Sequence, residues 1–367
     1  MTPSRGPGQA SGLRRAGFPV LWRLVEELRL ERFVARRVIP RLRLAEPSAH
    51  AFAQARARLD GEARRIAAAD GPVVVGPYLS EVGLELLYWV PFLRRLVHAY
   101  GIDPQRLVAV SRGGVGNWYD GICGSYADVF EVMGEDEFRD ALEAGWAEQD
   151  GQKQFEVGTL DRHVIDKAGL RDADVLHPSS MFGLFSEYWL HRVALPSVLE
   201  HLEIAPFTTP SDPELEARLP DRYVAARFYF RETFPDTPES RALAARVLRE
   251  LAQDGPVVLL DTGLVLDDHS SVPLPEGVEL LRPLAGCDPA VNLHAQSVVL
   301  ANADAFVGTY GGLCYLANAY GVPSYALVQP PARKLGLSHT PVARRLAEAA
   351  GTSLAIVPTT ALDALAS

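Results

Sequence analysis

Within this 367-residue chain, the segment best suited to holding an anion is Thr309-Tyr310-Gly311-Gly312-Leu313, between an apolar run at Ala305–Gly308 and a small-residue helix. Two adjacent glycines let a backbone approach a ligand closely. The unpaired N–H groups and dipole of the helix starting near Leu313 would then favour a phosphate. The same turn would also suit a helix that packs closely on a sheet, through the small Ala317, Asn318 and Ala319. A similar strand–loop–helix signal occurs at Val73–Gly83, so two nucleotide-fold halves are expected to face one cleft. Neither G-x-x-x-x-G-K-[ST] nor G-x-G-x-x-G is present, which counts against P-loop and common dehydrogenase chemistry. H-E-x-x-H and a G-x-S-x-G elbow are also missing.

These residues need a scaffold that gathers them. Apolar runs at Pro72–Gly76, Leu107–Ser111, Asp174–His177, Tyr223–Phe230, Val257–Asp261, Val278–Arg282, Ala305–Gly308 and Ser324–Val328 predict strands. Helical spacing is read at Pro47–Asp70, Glu81–Tyr100, Tyr126–Val132, Asp136–Glu148 and Thr159–Ala168. Further helices are expected at Met181–Glu200, broken near Pro196, and at Pro238–Gln253, Ala290–Ala301, Leu313–Ala319 and Pro341–Ala350. Repeated β-then-α units predict an α/β fold of two Rossmann-like domains with parallel sheets, preceded by a helical arm. The expected boundaries are 1–70 for the arm, 71–205 for the first domain and 206–367 for the second, with Pro206–Pro220 as linker. Ligands of such sheets sit beyond the carboxyl ends of the strands. The informative loops are therefore Pro77–Gly83, Arg112–Asn117, Arg227–Pro235, Asp261–His269 and Gly308–Leu313.

The net charge of −10 conceals an asymmetry. Residues 1–46 hold ten arginines and four glutamates, a charge of +6, which leaves −16 for the remainder. Between Phe18 and Leu44 apolar residues recur at helical spacing with arginines among them, so this stretch either packs on the first domain or lies on an anionic membrane surface. The acidic body repels nucleic acid. Three widely spaced cysteines, Cys123, Cys287 and Cys314, suit a reducing cytoplasm, and no apolar run reaches a membrane-spanning length. The expected location is cytoplasmic, at most peripheral at the inner face of the membrane.

The run from Asn302 to Leu327, with an acidic residue before an apolar strand, a G-T-Y-G-G-L turn, an L-A helix and a G-V-P strand, resembles the donor-side motif of GT-B glycosyltransferases. The heptosyltransferase-like and fucosyltransferase-like inverting branches are nearest in shape. The resemblance implies that Thr309, Tyr310, Gly311, Gly312 and Leu313 receive the nucleotide diphosphate. The loop carrying Glu81 and Gly83 resembles the family's first β/α loop, where inverting members place an acidic base. Heptosyltransferases carry Asp and His near the turn where Tyr310 and Tyr315 stand here, so those donor contacts do not carry over. The E-x7-E pair of many retaining members is missing from the C-terminal half.

Inversion needs a group that takes the acceptor proton and donors that stabilise the departing diphosphate. Glu81 is the first candidate base, or else a residue that only stabilises a helix start. Glu85, one helical turn on, and Asp120, beside the glycine-rich loop, come next. Arg227 and Arg231 are candidates for the diphosphate, or else pair with Glu232 or Asp236. Arg112, Gly113, Gly114 and Asn117 form the expected acceptor-side loop. Asp172-Ala173-Asp174 and Asp267-Asp268-His269 have ligand-like spacing, but no metal site is expected at either. No cofactor is expected beyond the nucleotide-sugar co-substrate. The expected partners are that donor and a glycan or lipid-linked acceptor, as in polysaccharide biosynthesis. The alternatives are another GT-B-like enzyme, such as an epimerase or pyruvyl transferase, and a non-catalytic nucleotide-sugar or glycan-binding protein.

Overall fold

The computed structural model describes residues 45–148, 154–190, 192–231, 233–264, 270–329 and 339–361. The basic stretch 1–44, Glu232 and Asp267-Asp268-His269 lie outside the described residues.

The described chain opens with helix α1 (Ala45–Ala68) and then builds a parallel sheet from β1 (Val73–Val75), β2 (Leu107–Ser111), β3 (Ser125–Asp128) and β4 (Asp174–Leu176), in the order β3-β2-β1-β4. The three valines of β1 are fully buried, as both faces of a helix-covered parallel strand must be. Helix α2 follows β1 in three consecutive segments, Val82–Leu84, Glu85–Trp89 and Val90–Tyr100, the middle one wound as a π-helix whose five residues are all buried. It ends where Gly101 enters the left-handed region and donates its N–H to Val97 O. Helices α3 (Glu135–Glu148), α4 (Thr159–Lys167) and α5 (Pro178–Trp189) complete this half.

The second half contains β5 (Val224–Arg227), α6 (Pro238–Asp254), β6 (Val257–Leu259), α7 (Asn292–Ala301), β7 (Ala305–Thr309), α8 (Gly312–Ala319), β8 (Ser324–Val328), α9 (Thr340–Ala349) and β9 (Leu354–Pro358). Its parallel sheet runs β9-β8-β7-β5-β6. The order reverses between β5 and β7, so a crevice opens past their carboxyl ends at Arg227 and Thr309. The chain thus adopts two Rossmann-like halves facing one cleft.

Several expectations are corrected. Tyr126 lies in a strand, because β3 occupies Ser125–Asp128 and only Val129–Val132 is helical, with the Asp128 carboxylate accepting from Phe130 N at its start. Residues 278–282 form no strand; Leu281 alone bridges to β6, exchanging bonds with Leu259 and Val257. The helix expected over 181–200 ends at Trp189 and resumes as Leu195–Leu199. Tyr223–Phe230 divides into β5 and a two-residue strand, Tyr229–Phe230, paired antiparallel with Ser270–Ser271.

The halves meet through a continuous apolar core and a polar seam. Trp118 Nε1 donates to Tyr320 OH at 3.0 Å and the Phe207 ring lies against both side chains. At Gly113 and Gly114 φ is +82° and +78°, and His294 N donates to Gly113 O at 2.8 Å. A Cβ on Gly114 would lie 2.9 Å from Ala290 O. Gly114→Ala therefore combines left-handed strain with a backbone clash and is expected to lower stability by about 1–3 kcal/mol. Urea unfolding of the variant beside the wild type measures this.

Candidate active site

One cavity of about 220 Å³ lies between the halves. Ser80, Glu81, Val82 and Gly83 line it from the first half, and Arg227, Tyr229, Arg231, Tyr310, Gly311, Gly312, Leu313 and His339 from the second. It thus collects the start of α2 and the start of α8. Glu81 is the residue before α2, with extended backbone (φ −69°, ψ 134°), and its carbonyl accepts from Leu84 N and Glu85 N. Gly312 begins α8, where the first amides of a helix have no intrahelical partner.

The two helix starts touch. A Cβ on Gly312 would stand 3.0 Å from Gly83 N, and one on Gly83 would stand 3.4 Å from Gly312 Cα and 3.2 Å from the Tyr315 ring. Gly311 serves a different neighbour, because a Cβ there would overlap the Tyr229 hydroxyl and lie 3.1 Å from an Arg231 guanidinium nitrogen. The turn sequence is therefore required for packing as well as for access to a ligand.

The arginines differ in what they already hold. Arg227, at the end of β5, pairs with Asp261 at 2.8 Å, and Arg282 reaches the other Asp261 oxygen at 3.5 Å. Asp236 is not the partner of Arg227, since it pairs with Arg241 at 2.6 Å, and Glu232 lies outside the described residues. Arg112 donates to the carbonyls of Tyr78 and Ser80 and so braces the loop that carries Glu81. Arg231 lines the cavity with its Nε buried and without a hydrogen-bond partner among the described residues. An orphaned buried donor on a cation calls for an anion.

Other predicted residues stand elsewhere. Thr309 is fully buried, and its hydroxyl is tied to Tyr229, accepting from its N–H and donating to its carbonyl. It sets the position of Tyr229. Tyr310 lines the cavity while its hydroxyl bonds Thr340 at 2.8 Å. Gly113, Gly114 and Asn117 belong to the seam between halves; Asn117 Nδ2 donates to Thr208 O and Tyr320 OH. Of the expected acceptor-side loop only Arg112 reaches the cavity. Asp120 is exposed and does not line the cavity. Asp174 starts β4, at the sheet end opposite the cleft, and pairs with Arg65 at 2.6 Å. Among the described residues no group of three His, Cys, Asp or Glu side chains is placed to hold a metal.

His339 is the cavity residue that sequence reading missed. It immediately precedes α9, and its Nδ1 lies 2.9 Å from Tyr88 OH. Burial pulls its pKa down to about 4, and the charge of Arg231 acts in the same direction, against that of Glu81. The ring is neutral at pH 7. No motif or spacing marks it, since its hydrogen-bond partner Tyr88 lies 251 residues earlier.

No protein-family profile matches the chain. No curated protein matches it in sequence. Among solved structures it is similar to a glycosyl transferase family 9 protein from Veillonella parvula DSM 2008, with 12% identity, a TM-score of 0.42, and 81% of this chain and 87% of that one covered. It is likewise similar to the E. coli ADP-heptose LPS heptosyltransferase II, at 15% identity and TM-score 0.41 over 78% and 90% of the two chains. E. coli heptosyltransferase WaaC with ADP gives 15% identity and TM-score 0.37 over 80% and 98%. At these values the likeness bears on neither substrate nor reaction. No described helix is long and apolar enough to cross a membrane.

Glu85 lies beneath the cavity, outside its lining. It is fully buried and accepts from Ser111 Oγ at 2.6 Å and Tyr119 OH at 2.5 Å, while its Oε2 has no partner. Sharing a helical face with Glu81 fails because Glu81 has extended backbone and stands outside the helix. Burial raises the Glu85 pKa from 4.5 to about 6, partly offset by Arg112. The folded state therefore binds a proton more tightly than the unfolded one, and stability is lost as pH rises from 4.5 through 6. At 1.36 kcal/mol per unit the ionised form costs about 2 kcal/mol at pH 7. Glu85→Gln, which keeps an acceptor for Ser111 and Tyr119, is expected to be more stable than wild type at pH 7 and to lose that advantage by pH 4.5. His339 acts oppositely, since its lowered pKa makes stability fall as pH drops below 6.5. It is common to both proteins, so the difference between their urea-unfolding curves from pH 4.5 to 7 isolates Glu85.

Proposed function

We propose that the protein is a glycosyltransferase that moves a sugar from a nucleotide-sugar donor to a glycan or lipid-linked acceptor, with inversion and without a metal or other cofactor. The observation that carries this reading is the unpartnered, buried Arg231 Nε on the cavity wall, beside the Gly311-Gly312 turn and across from Glu81. The second half takes the donor and the first half the acceptor. Arg231 and the first amides of α8, at Gly312 and Leu313, receive the diphosphate, and Arg227 adds charge at the rim. The acceptor hydroxyl gives its proton to the Glu81 carboxylate as its oxygen bonds the anomeric carbon. The bond from that carbon to the phosphate oxygen breaks, and the diphosphate leaves with the electron pair. The ordered cationic and N–H donors take the charge that develops on it. The basic stretch 1–46 fits a peripheral membrane contact near a lipid-linked acceptor.

Removing a hydrogen bond to a charged group costs about 1.5–3 kcal/mol. Arg231→Ala is therefore expected to weaken binding of the cognate nucleoside diphosphate by about 10–100-fold in calorimetry. Arg227→Ala, whose charge is shared with Asp261, is expected to do less. Unchanged affinity in Arg231→Ala, with the fold intact, overturns the donor site.

Glu81→Gln is expected to lower turnover by about 10²–10⁴-fold while leaving donor affinity nearly unchanged. Wild-type turnover in that variant removes Glu81 as the base. The transfer assay, run with a panel of nucleotide sugars, is expected to survive EDTA and to give a product of inverted anomeric configuration. Loss of activity in EDTA, restored by manganese or magnesium, overturns the metal-free reading, and saturable binding without turnover assigns a binding protein.

A further inference from the structure

His339 has no part in the steps above, although it shares the cavity with Glu81. Its surroundings bear on which ring nitrogen carries the proton. Tyr88, on the π-wound turn of α2, is fully buried, and burial holds its hydroxyl far above the usual tyrosine pKa, so it keeps its proton. The rings packed on Tyr88 are Phe185 at 5.5 Å, Trp189 at 5.3 Å and His339 at 5.5 Å between centroids. Of these rings only the imidazole can accept from Tyr88, since Phe185 has no polar atom and the Trp189 indole only donates. With the Tyr88 O–H donating to Nδ1 across 2.9 Å, the imidazole proton would sit on Nε2. Trp189 also meets the His339 ring edge-on at 5.8 Å, so the ring is held by two aromatic neighbours from the first half. Among the described residues the charged groups that act on it are Glu81 and Arg231.

We propose that Tyr88 locks His339 as the Nε2–H tautomer and that this N–H donates to the carboxylate of Glu81, which makes His339 a positioning residue for the base. One Glu81 oxygen accepts from His339, and the other takes the acceptor's proton as the new bond to the anomeric carbon forms and the diphosphate departs. The imidazole keeps its own proton throughout. The catalytic meaning rests on the transferase reading, whereas the tautomer and its partner do not.

Imidazole nitrogen–proton correlation spectra of the full ¹⁵N-labelled chain at pH 7 test this, with His339 assigned by its absence in His339→Gln. The expected spectrum is that of a neutral ring protonated on Nε2. Tyr88→Phe is expected to introduce the other tautomer, and Glu81→Gln to move the Nε2–H proton resonance. A ring protonated on Nδ1, or an Nε2–H resonance indifferent to Glu81→Gln, overturns the proposal. In kinetics, loss of one hydrogen bond to the carboxylate base corresponds to about 10–100-fold. His339→Ala is expected to lower kcat by about that factor with donor KM unchanged, and His339→Gln, which retains an N–H donor, to recover most of it. Failure of the glutamine variant to recover kcat overturns the positioning role. If no nucleotide sugar is turned over, the transferase reading fails while the spectra still decide the tautomer and its partner.

Discussion

The close approach of Gly83 to Gly312 is the constraint on which the cleft depends. A β-carbon at Gly312 would stand 3.0 Å from the Gly83 backbone nitrogen, so the two helix starts meet at a separation that tolerates little more than hydrogen. Both helices follow directly on the carboxyl ends of parallel strands, and their contact brings the ligand-facing ends of two sheets together. Widening it by a side chain would move Glu81 away from Arg231 and disturb Tyr315, which packs on Gly83. The glycine pair at 311–312 is consistent with two uses at once: Gly312 admits the other helix, and Gly311 admits the Tyr229 hydroxyl and the Arg231 guanidinium.

That geometry is braced from behind by buried polar groups. Glu85 ties α2 to β2 through Ser111 and to the following turn through Tyr119. Arg112 holds the carbonyls of Tyr78 and Ser80, which leads the chain into Glu81. Thr309 fixes Tyr229 by two bonds to its backbone. Each of these residues has the type expected of a ligand-binding group; Arg112 and Thr309 position the cavity-lining Ser80 and Tyr229, whereas Glu85 joins α2 to two residues outside the lining. A buried polar side chain needs partners, and here the nearest partners are loop backbone and hydroxyl groups.

Those are also the places where sequence reading goes astray. The strand at Ser324–Val328 and helix α6 follow strong local patterns and match the expected spans closely. The edge strand Ser125–Asp128 does not, because Ser, Tyr, Ala and Asp show no alternation and only its last residue is buried. Gly113 and Gly114 do mark a close approach, yet nothing in the sequence says that α7 and its leading turn, and not a ligand, are what approach. Glu81 and Glu85 are four residues apart, and only the observed helix boundary shows that the first is outside the helix and the second within it, beneath the cavity. His339 is hidden by distance along the chain, and its environment comes from Tyr88 and Trp189 in the other half.

The electrostatic balance of the cavity follows from the same contact. Two helix starts each bring roughly half a positive charge, and Arg231 adds a full one with a donor still unmatched. Asp261 answers Arg227, and among the described residues that line the cavity Glu81 is the only carboxylate. Among the described lining residues a single carboxylate stands against two helix starts, Arg231 and Arg112, which leaves a positive excess. Cationic groups and helix starts converging on one recess favour a doubly charged anion there over a neutral ligand. Glu81 immediately precedes α2, so a carboxylate that answers the start of its own helix also faces the recess where such an anion would sit. The two uses open to Glu81, stabilising a helix start and accepting a proton, are therefore compatible, because the position that precedes its helix is also the one that lines the cavity.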